Sequence, residues 1–188
     1  MDEFEAKLMK DIAGIRKEVP VIDNNTYENL RRMSVSGLIV PRPDKNQYYC
    51  NIARDVATRS TCIRRKYGAV IVNNDCIIST GYNGAPRGQT NCSPETCIRA
   101  KTNVPHGERY ELCRSVHAEQ NAIIHASYRD MQHASLYLAG IEPDGSPIGY
   151  PDCCDICKRM IINAGIDVVY FMNADGSIRK QHVYDWVI

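Results

Sequence analysis

A histidine and two cysteines in this chain can act together only if the fold brings two distant segments to one point. His117-Ala118-Glu119 and Cys154-Asp155-Ile156-Cys157 are well separated along the sequence. One imidazole and two thiolates make three ligands for a tetrahedral zinc ion. Three protein ligands leave the fourth position open to water, which marks a catalytic rather than a structural centre. Glu119, two residues past the histidine, supplies a carboxylate that can move protons for that water. Cys154 and Cys157, three apart, share one face of a helical turn. Both segments read as helix starts, where partial positive charge favours a thiolate. A zinc ribbon, the structural alternative, needs two paired knuckles, and the sequence holds a single Cys-x-x-Cys.

A chain of 188 residues has room for one compact domain and an appendage. The formal net charge is +1, so the strongly basic face of a protein that binds a nucleic-acid polymer is not expected. That balance leaves a local phosphate pocket open. The acidic start Met1-Asp2-Glu3-Phe4-Glu5 lacks the basic and apolar regions of a signal peptide. No apolar run approaches the ~18 residues of a membrane span. Nine cysteines, an odd number without a secretory leader, point to thiols and metal rather than a disulfide framework. The expectation is a cytoplasmic protein with no membrane association.

Phe4, Leu8, Ile12 and Ile15 recur at helical spacing, and Pro20 ends that helix. A second short helix is predicted over 26–33. Pro41 and Pro43 mark a linker, and Asp44 is a candidate N-cap for a helix carrying Tyr48, Tyr49, Ile52, Ala53 and Val56. The chain therefore divides into a helical N-terminal extension, 1–43, and a main domain, 44–188. Within the latter, 67–72 and 76–80 read as antiparallel strands joined by a tight turn at Asn73-Asn74-Asp75. The stretch 81–115 is an irregular loop, long enough to need something that organises it. A helix is predicted over 117–128, a strand over 134–140, a helix over 154–164 closed by Gly165, and a strand over 167–172. The tail to Ile188 is a candidate final strand. This order is an α/β layered pattern.

Arg59-Ser60-Thr61-Cys62, Gly68-Ala69-Val70-Ile71-Val72, Thr80-Gly81-Tyr82-Asn83-Gly84-Ala85-Pro86-Arg87-Gly88, His117-Ala118-Glu119-Gln120-Asn121-Ala122-Ile123 and the run from Cys157 to Ile166 resemble the cytidine deaminase superfamily. Within it they resemble the deoxycytidylate (dCMP) deaminases, for which the Gly-Tyr-Asn-Gly-x-Pro-x-Gly stretch is the more specific marker. The His-x-Glu and Cys-x-x-Cys pair is the general signature of zinc-dependent nucleobase deaminases. The resemblance implies a cytidine-deaminase-like mixed sheet of five strands flanked by helices, and hydrolysis of dCMP to dUMP and ammonia. It implies His117, Cys154 and Cys157 as ligands of the catalytic zinc, Glu119 as proton shuttle, the Ala118 amide as donor to the pyrimidine carbonyl and Asn83 as holder of the deoxyribose. It also implies regulation by dCTP, with Mg2+, and by dTTP. The nucleotide effector would act at Tyr82, Asn83 and Gly84 in a homo-oligomer, a hexamer by analogy.

The sequence departs from the family in places. Cys153 stands where the family has proline, so a Cys153/Cys157 ligand pair is an alternative to Cys154/Cys157. About fifteen residues follow the last predicted strand, where the family continues with a helix and a strand. Tyr128 occupies the position of a phosphate-binding arginine in some relatives, with Arg129 beside it. Arg64-Arg65-Lys66 is either a solvated turn or a phosphate contact, Lys66 being the substrate-binding candidate. Cys62, Cys92, Cys97 and Cys113 are either separate packed thiols or the ligands of a second, structural zinc, with His106 able to replace one of them. Some dCMP deaminases carry a second zinc in this region, and Cys62 and Cys92 fall on matching positions. Cys50 and Cys76 read as core residues. Deamination of cytidine, guanine or tRNA adenosine, and a non-catalytic zinc protein that binds nucleotides, are the competing functions.

Overall fold

The structure is a computed structural model that describes residues 42–187. The helices expected over 1–18 and 26–33 lie outside the described residues.

Helix α1, Lys45–Ala57, starts where Asp44 Oδ1 accepts hydrogen bonds from the backbone N–H of Asn46 (2.8 Å) and Gln47 (3.1 Å). Such a cap contributes about 1 kcal/mol. Tyr49, Cys50, Ala53 and Ala57 form its buried face. β1, Lys66–Asn73, is apolar through its middle because it is covered on both faces. It turns into β2, Cys76–Tyr82, through Asn74 and Asp75, whose φ angles of 47° and 65° give the twist a two-residue hairpin needs. After the long connection, which contains the single-turn helix α2, Ile98–Lys101, and a 3₁₀ turn at Tyr110–Leu112, come α3, Ala118–Ile124, and α4, Tyr128–Met131. β3, Ser135–Ile141, α5, Asp155–Asn163, β4, Val168–Met172, and β5, Ile178–His182, complete the domain.

The sheet order is β2-β1-β3-β4-β5. β3 and β4 are parallel, and the other three pairings are antiparallel. Alternation along the strands feeds two cores. Ala69, Ile71, Leu136, Leu138, Val169 and Phe171 pack with α3 and α5. Val70, Val72, Tyr137, Ala139 and Met172 pack with α1 on the other face. Each fully buried aliphatic or aromatic side chain contributes roughly 1.5–3 kcal/mol. The fold is the expected mixed five-stranded α/β sheet flanked by helices.

Three local expectations are corrected. The predicted 117–128 helix ends at Ile124, and α4 begins anew because Ser127 Oγ accepts from the Asp130 N–H at 3.2 Å. β2 runs on to Tyr82 rather than ending at 80. Cys76 is exposed, since it follows the turn on an edge strand, while Cys50 is fully buried as expected. The candidate final strand in the tail is present as β5, which pairs with β4 across a short turn at Gly176.

Candidate metal centre and active-site cavity

α3 and α5 lie on the same face of the sheet, and each begins at a predicted ligand. His117 is the N-cap residue of α3 and Cys154 that of α5, with Cys157 one turn inside. The Gln120 side chain accepts from the His117 backbone N–H at 2.8 Å, closing the start of α3. Gly81 in β2 lets this helix sit down on the sheet. A Cβ there would stand 2.3 Å from the carbonyl oxygen of Ala118 and 2.3 Å from the nitrogen of Ala122. The glycine at the head of the Gly-Tyr-Asn-Gly stretch is thus a packing requirement of the helix that carries His117.

The three side chains converge. His117 Nδ1 is 3.4 Å from Cys154 Sγ and 3.4 Å from Cys157 Sγ. All three candidate ligand atoms lie within 4.8 Å of one another, and among the described residues they form the one such metal-binding group. An ion about 2.0 Å from nitrogen and about 2.3 Å from sulfur in tetrahedral geometry separates N and S by about 3.5 Å. The donor set and spacing therefore fit zinc. Cys153 is buried outside this group and makes its side-chain contact with Glu119 instead.

The charges suit a metal as well. Cys154, accepting from the Cys157 thiol and assisted by His117, is held down to about 4, so the pair keeps one thiolate. Burial alone would lower His117, but its bonds to Cys113 and Cys154 raise it to about 10. Glu119 is buried, and burial pushes its carboxyl upward against the opposing pull of His117. A carboxyl raised toward neutrality is matched to work as both base and acid.

His117, Ala118, Glu119 and Cys154 line one end of a cavity of about 120 Å³. Asn83 lines it too. Its Oδ1 accepts from Ser60 Oγ and from the Tyr67 N–H, both at 2.7 Å, and its Nδ2 donates to the Arg65 carbonyl at 3.0 Å. These bonds fix the amide and use one of its two hydrogens, leaving the other for a bound molecule. Lys66, Tyr82, Gly84, Tyr128 and Arg129 are not among the lining residues. Gly84 instead pairs with Val116 through two backbone bonds and packs against Thr61. Cys62, Cys92, Cys97 and Cys113 all line the cavity. Burial raises the Cys92 thiol, and so does the proximity of Cys62, Cys113 and Cys97. Cys113 reaches His117. Burial works against it, yet that bond brings its thiol down to about 7. His106, also lining the cavity, has Arg65, Arg64 and Arg99 as charged neighbours.

Residues 43–173 match the family of the cytidine and deoxycytidylate deaminase zinc-binding region. This chain belongs to that family. It is 38% identical over 135 residues to the deoxycytidylate deaminase of Mycobacterium phage D29, covering 69% of this chain and 95% of the phage protein. It is 36% identical over 176 residues to the deoxycytidylate deaminase of Schizosaccharomyces pombe, covering 88% of this chain. The chain spans about half, 51%, of the length of that yeast relative. Among solved structures, the apo dCMP deaminase of cyanophage S-TIM5 is similar, with 29% identity and a TM-score of 0.50, over 71% of this chain and 86% of that one.

The family segment contains every ligand of the converging group and all four cysteines of the long connection. It also contains residues that sequence reasoning missed. Tyr110 sets its ring edge-on to His117, with centroids 5.1 Å apart. Arg99, buried, lies over the Tyr110 ring at 4.7 Å. Both come from the irregular connection, where no periodicity signals which side chains turn inward. No helix among the described residues is long and apolar enough to cross a membrane.

Proposed function

We propose that this protein is a zinc-dependent hydrolase that converts dCMP to dUMP and ammonia, supplying dUMP for thymidylate synthesis. The observation that carries the proposal is the convergence of His117, Cys154 and Cys157 beside a buried Glu119 in one cavity. The phage and yeast relatives bear the name deoxycytidylate deaminase, which supports dCMP as the substrate.

Zinc held by His117 Nδ1 and the Cys154 and Cys157 sulfurs would supply Lewis acidity that makes water a nucleophile near neutral pH. Glu119 takes a proton from the attacking water and delivers it to pyrimidine N3. After the hydroxyl has added at C4, Glu119 takes that hydroxyl's proton and passes it to the amino group, which leaves as ammonia as the C4–N bond breaks and the C4 carbonyl forms, the two transfers occurring in sequence. The Ala118 N–H, in the first turn of α3 and without an intrahelical acceptor, donates to the pyrimidine carbonyl. The remaining Nδ2 hydrogen of Asn83 is offered to the deoxyribose.

The proposal extends to a structural zinc held by the Cys62, Cys92, Cys97 and Cys113 set, to an extension at 1–43 preceding a catalytic domain at 44–188, and to a cytoplasmic homo-oligomer. It also includes dCTP with Mg2+ as activator and dTTP as inhibitor, acting at Tyr82, Asn83 and Gly84. All four cysteines line one cavity and Cys92 senses the other three, which supports the second metal, although the four sulfurs do not form a ligand group as close as that of His117, Cys154 and Cys157. The Gly-Tyr-Asn-Gly stretch supports the effectors.

The test gives zinc-loaded protein dCMP, deoxycytidine, CMP, dCTP, guanine and a tRNA anticodon stem in parallel, with and without dCTP and magnesium. Ammonia release should show the highest kcat/KM for dCMP. Equal turnover of deoxycytidine makes the protein a nucleoside deaminase. Zinc-loaded protein that turns over none of them makes it a binding module.

A further inference from the structure

The chemistry at the His117 end of the cavity needs only the base. The cavity lining also carries four arginines, and they differ in what they already hold. Arg64 spends its Nη1 and Nη2 on the carbonyls of Arg99 (2.9 Å) and Val104 (2.6 Å). Arg65 pairs with Glu142 at 2.8 Å. Arg114 lines the cavity but is exposed. Arg99 is only 7% exposed, and no carboxylate among the described residues lies within ion-pair distance of it. Its Nη2 makes one long bond to the Pro105 carbonyl at 3.4 Å, it touches Cys113, and its Nε has no hydrogen-bond partner. A buried charged donor without a partner is costly, and each such group calls for an explanation.

The position of this side chain is built. The Arg99 carbonyl accepts both from Arg64 and from the Val104 N–H at 3.0 Å, which pins α2 in place. The guanidinium lies over Tyr110 at 4.7 Å, Tyr110 in turn abuts His117 at 5.1 Å, and Cys113 contacts both Arg99 and His117, so the arginine stands one side chain away from the His117 ring. That separation suits a molecule with a pyrimidine at one end and an anion at the other. A planar guanidinium recognises phosphate by paired N–H bonds.

We propose that Arg99 receives the 5′-phosphate of the nucleotide while its base lies against Glu119 and His117. This assignment rests on the proposed reading of the substrate as a nucleoside monophosphate, and it makes Arg99 a specificity-determining residue. The exposed Arg114 lines the same cavity, and His106, kept toward its neutral form by burial and by Arg65 and Arg64, offers a ring nitrogen rather than a charge.

The full-length, zinc-loaded protein is titrated calorimetrically with dUMP and with deoxyuridine, and kcat/KM is measured for dCMP and deoxycytidine. Wild type should prefer dUMP. Arg99→Met, which keeps an unbranched side chain but removes the charged fork, should shrink the dUMP-to-deoxyuridine affinity ratio by at least ~10-fold, with a matching fall in the dCMP-to-deoxycytidine ratio. Arg99→Lys keeps the charge, loses the planar fork, and should shrink the ratios by less. If wild type prefers dUMP and both variants keep that preference, the Arg99 assignment is overturned while the monophosphate reading stands. If Arg99→Met lowers binding of dUMP and deoxyuridine alike, Arg99 only holds Cys113 and the loop, and the assignment is again overturned. If wild type itself does not distinguish dUMP from deoxyuridine, the monophosphate reading fails first. Should Arg99→Met not fold, the Arg99→Lys ratios decide alone, and unchanged ratios overturn the proposal.

Discussion

Glu119 is placed at the one spot where a carboxylate can be useful and costly at once. It is buried, it contacts Cys153, and it lies two residues from His117 without joining the group of His117, Cys154 and Cys157 that could hold a metal. Burial favours the protonated acid, while His117 favours the carboxylate. The net direction is upward, toward the acid form. Glu119→Gln keeps the shape and removes the proton exchange. It should retain zinc and fold, and lose at least ~10²-fold in kcat on dCMP, the scale of a general acid/base group. Zinc analysis alongside single-turnover rates checks this, and near-normal turnover would sink the role of Glu119. Cys153 takes a different place from the one its neighbours suggest. As the residue standing in the family's proline position, it competes on paper with Cys154 for the metal, but it packs against the carboxylate.

The elements that hold this site were legible where the sequence is periodic or capped. Asp44 announced α1, the apolar run from Gly68 to Val72 announced a strand covered on both faces, and Gly165, at φ 76°, closes the segment after α5. β5 was faint because Arg179, Lys180, Gln181 and His182 carry the polarity of an edge strand. The break between α3 and α4 was hidden because one Ser127 hydroxyl outweighs the surrounding helical pattern. The arginine lining of the cavity was invisible because Arg99 is set by tertiary contacts to Arg64 and Tyr110 rather than by local propensity. At this scale an intolerant point beside the site is where β2 meets α3. Gly81→Ala puts a methyl against two backbone atoms of α3, which cannot move aside without shifting His117. It should cost about 1–3 kcal/mol as an overpacked contact, and weaken zinc binding at the same time. Gly149→Ala, with nothing within 4 Å and no unusual φ, is the control and should be nearly neutral. Thermal melts and zinc affinities of the two variants decide it, and equal behaviour would dismiss the idea that Gly81 seats the helix.

Across the whole domain, the sheet brings α3 and α5 onto one face, but what they share at their starts is polar. The apolar contacts lie deeper, at Ala118, Ala122, Cys157 and Ile161. Above them His117 and the Cys154 thiolate concentrate charge, which the interior tolerates only if it is compensated. A zinc ion with three bonds across the two helices would compensate it and clasp the connection from Asn83 to Val116 onto the body of the domain. Binding to the folded state alone stabilises by about 4.1 kcal/mol at a free zinc level a thousandfold above Kd. For a domain of this size each kcal/mol moves Tm by about 2–4 °C, so stripping the metal should lower Tm by roughly 8–16 °C. Wild type should carry two zinc ions per chain. Cys92→Ser should carry one, keep the larger part of the chelator-induced shift, and show faster amide exchange in the 83–116 connection but not in α3. Metal analysis finding one zinc per wild-type chain would end the second-site proposal. A Tm unchanged on stripping a demonstrably loaded protein would end the view of the catalytic ion as a clasp, because three bonds between two helices cannot be lost without loosening them.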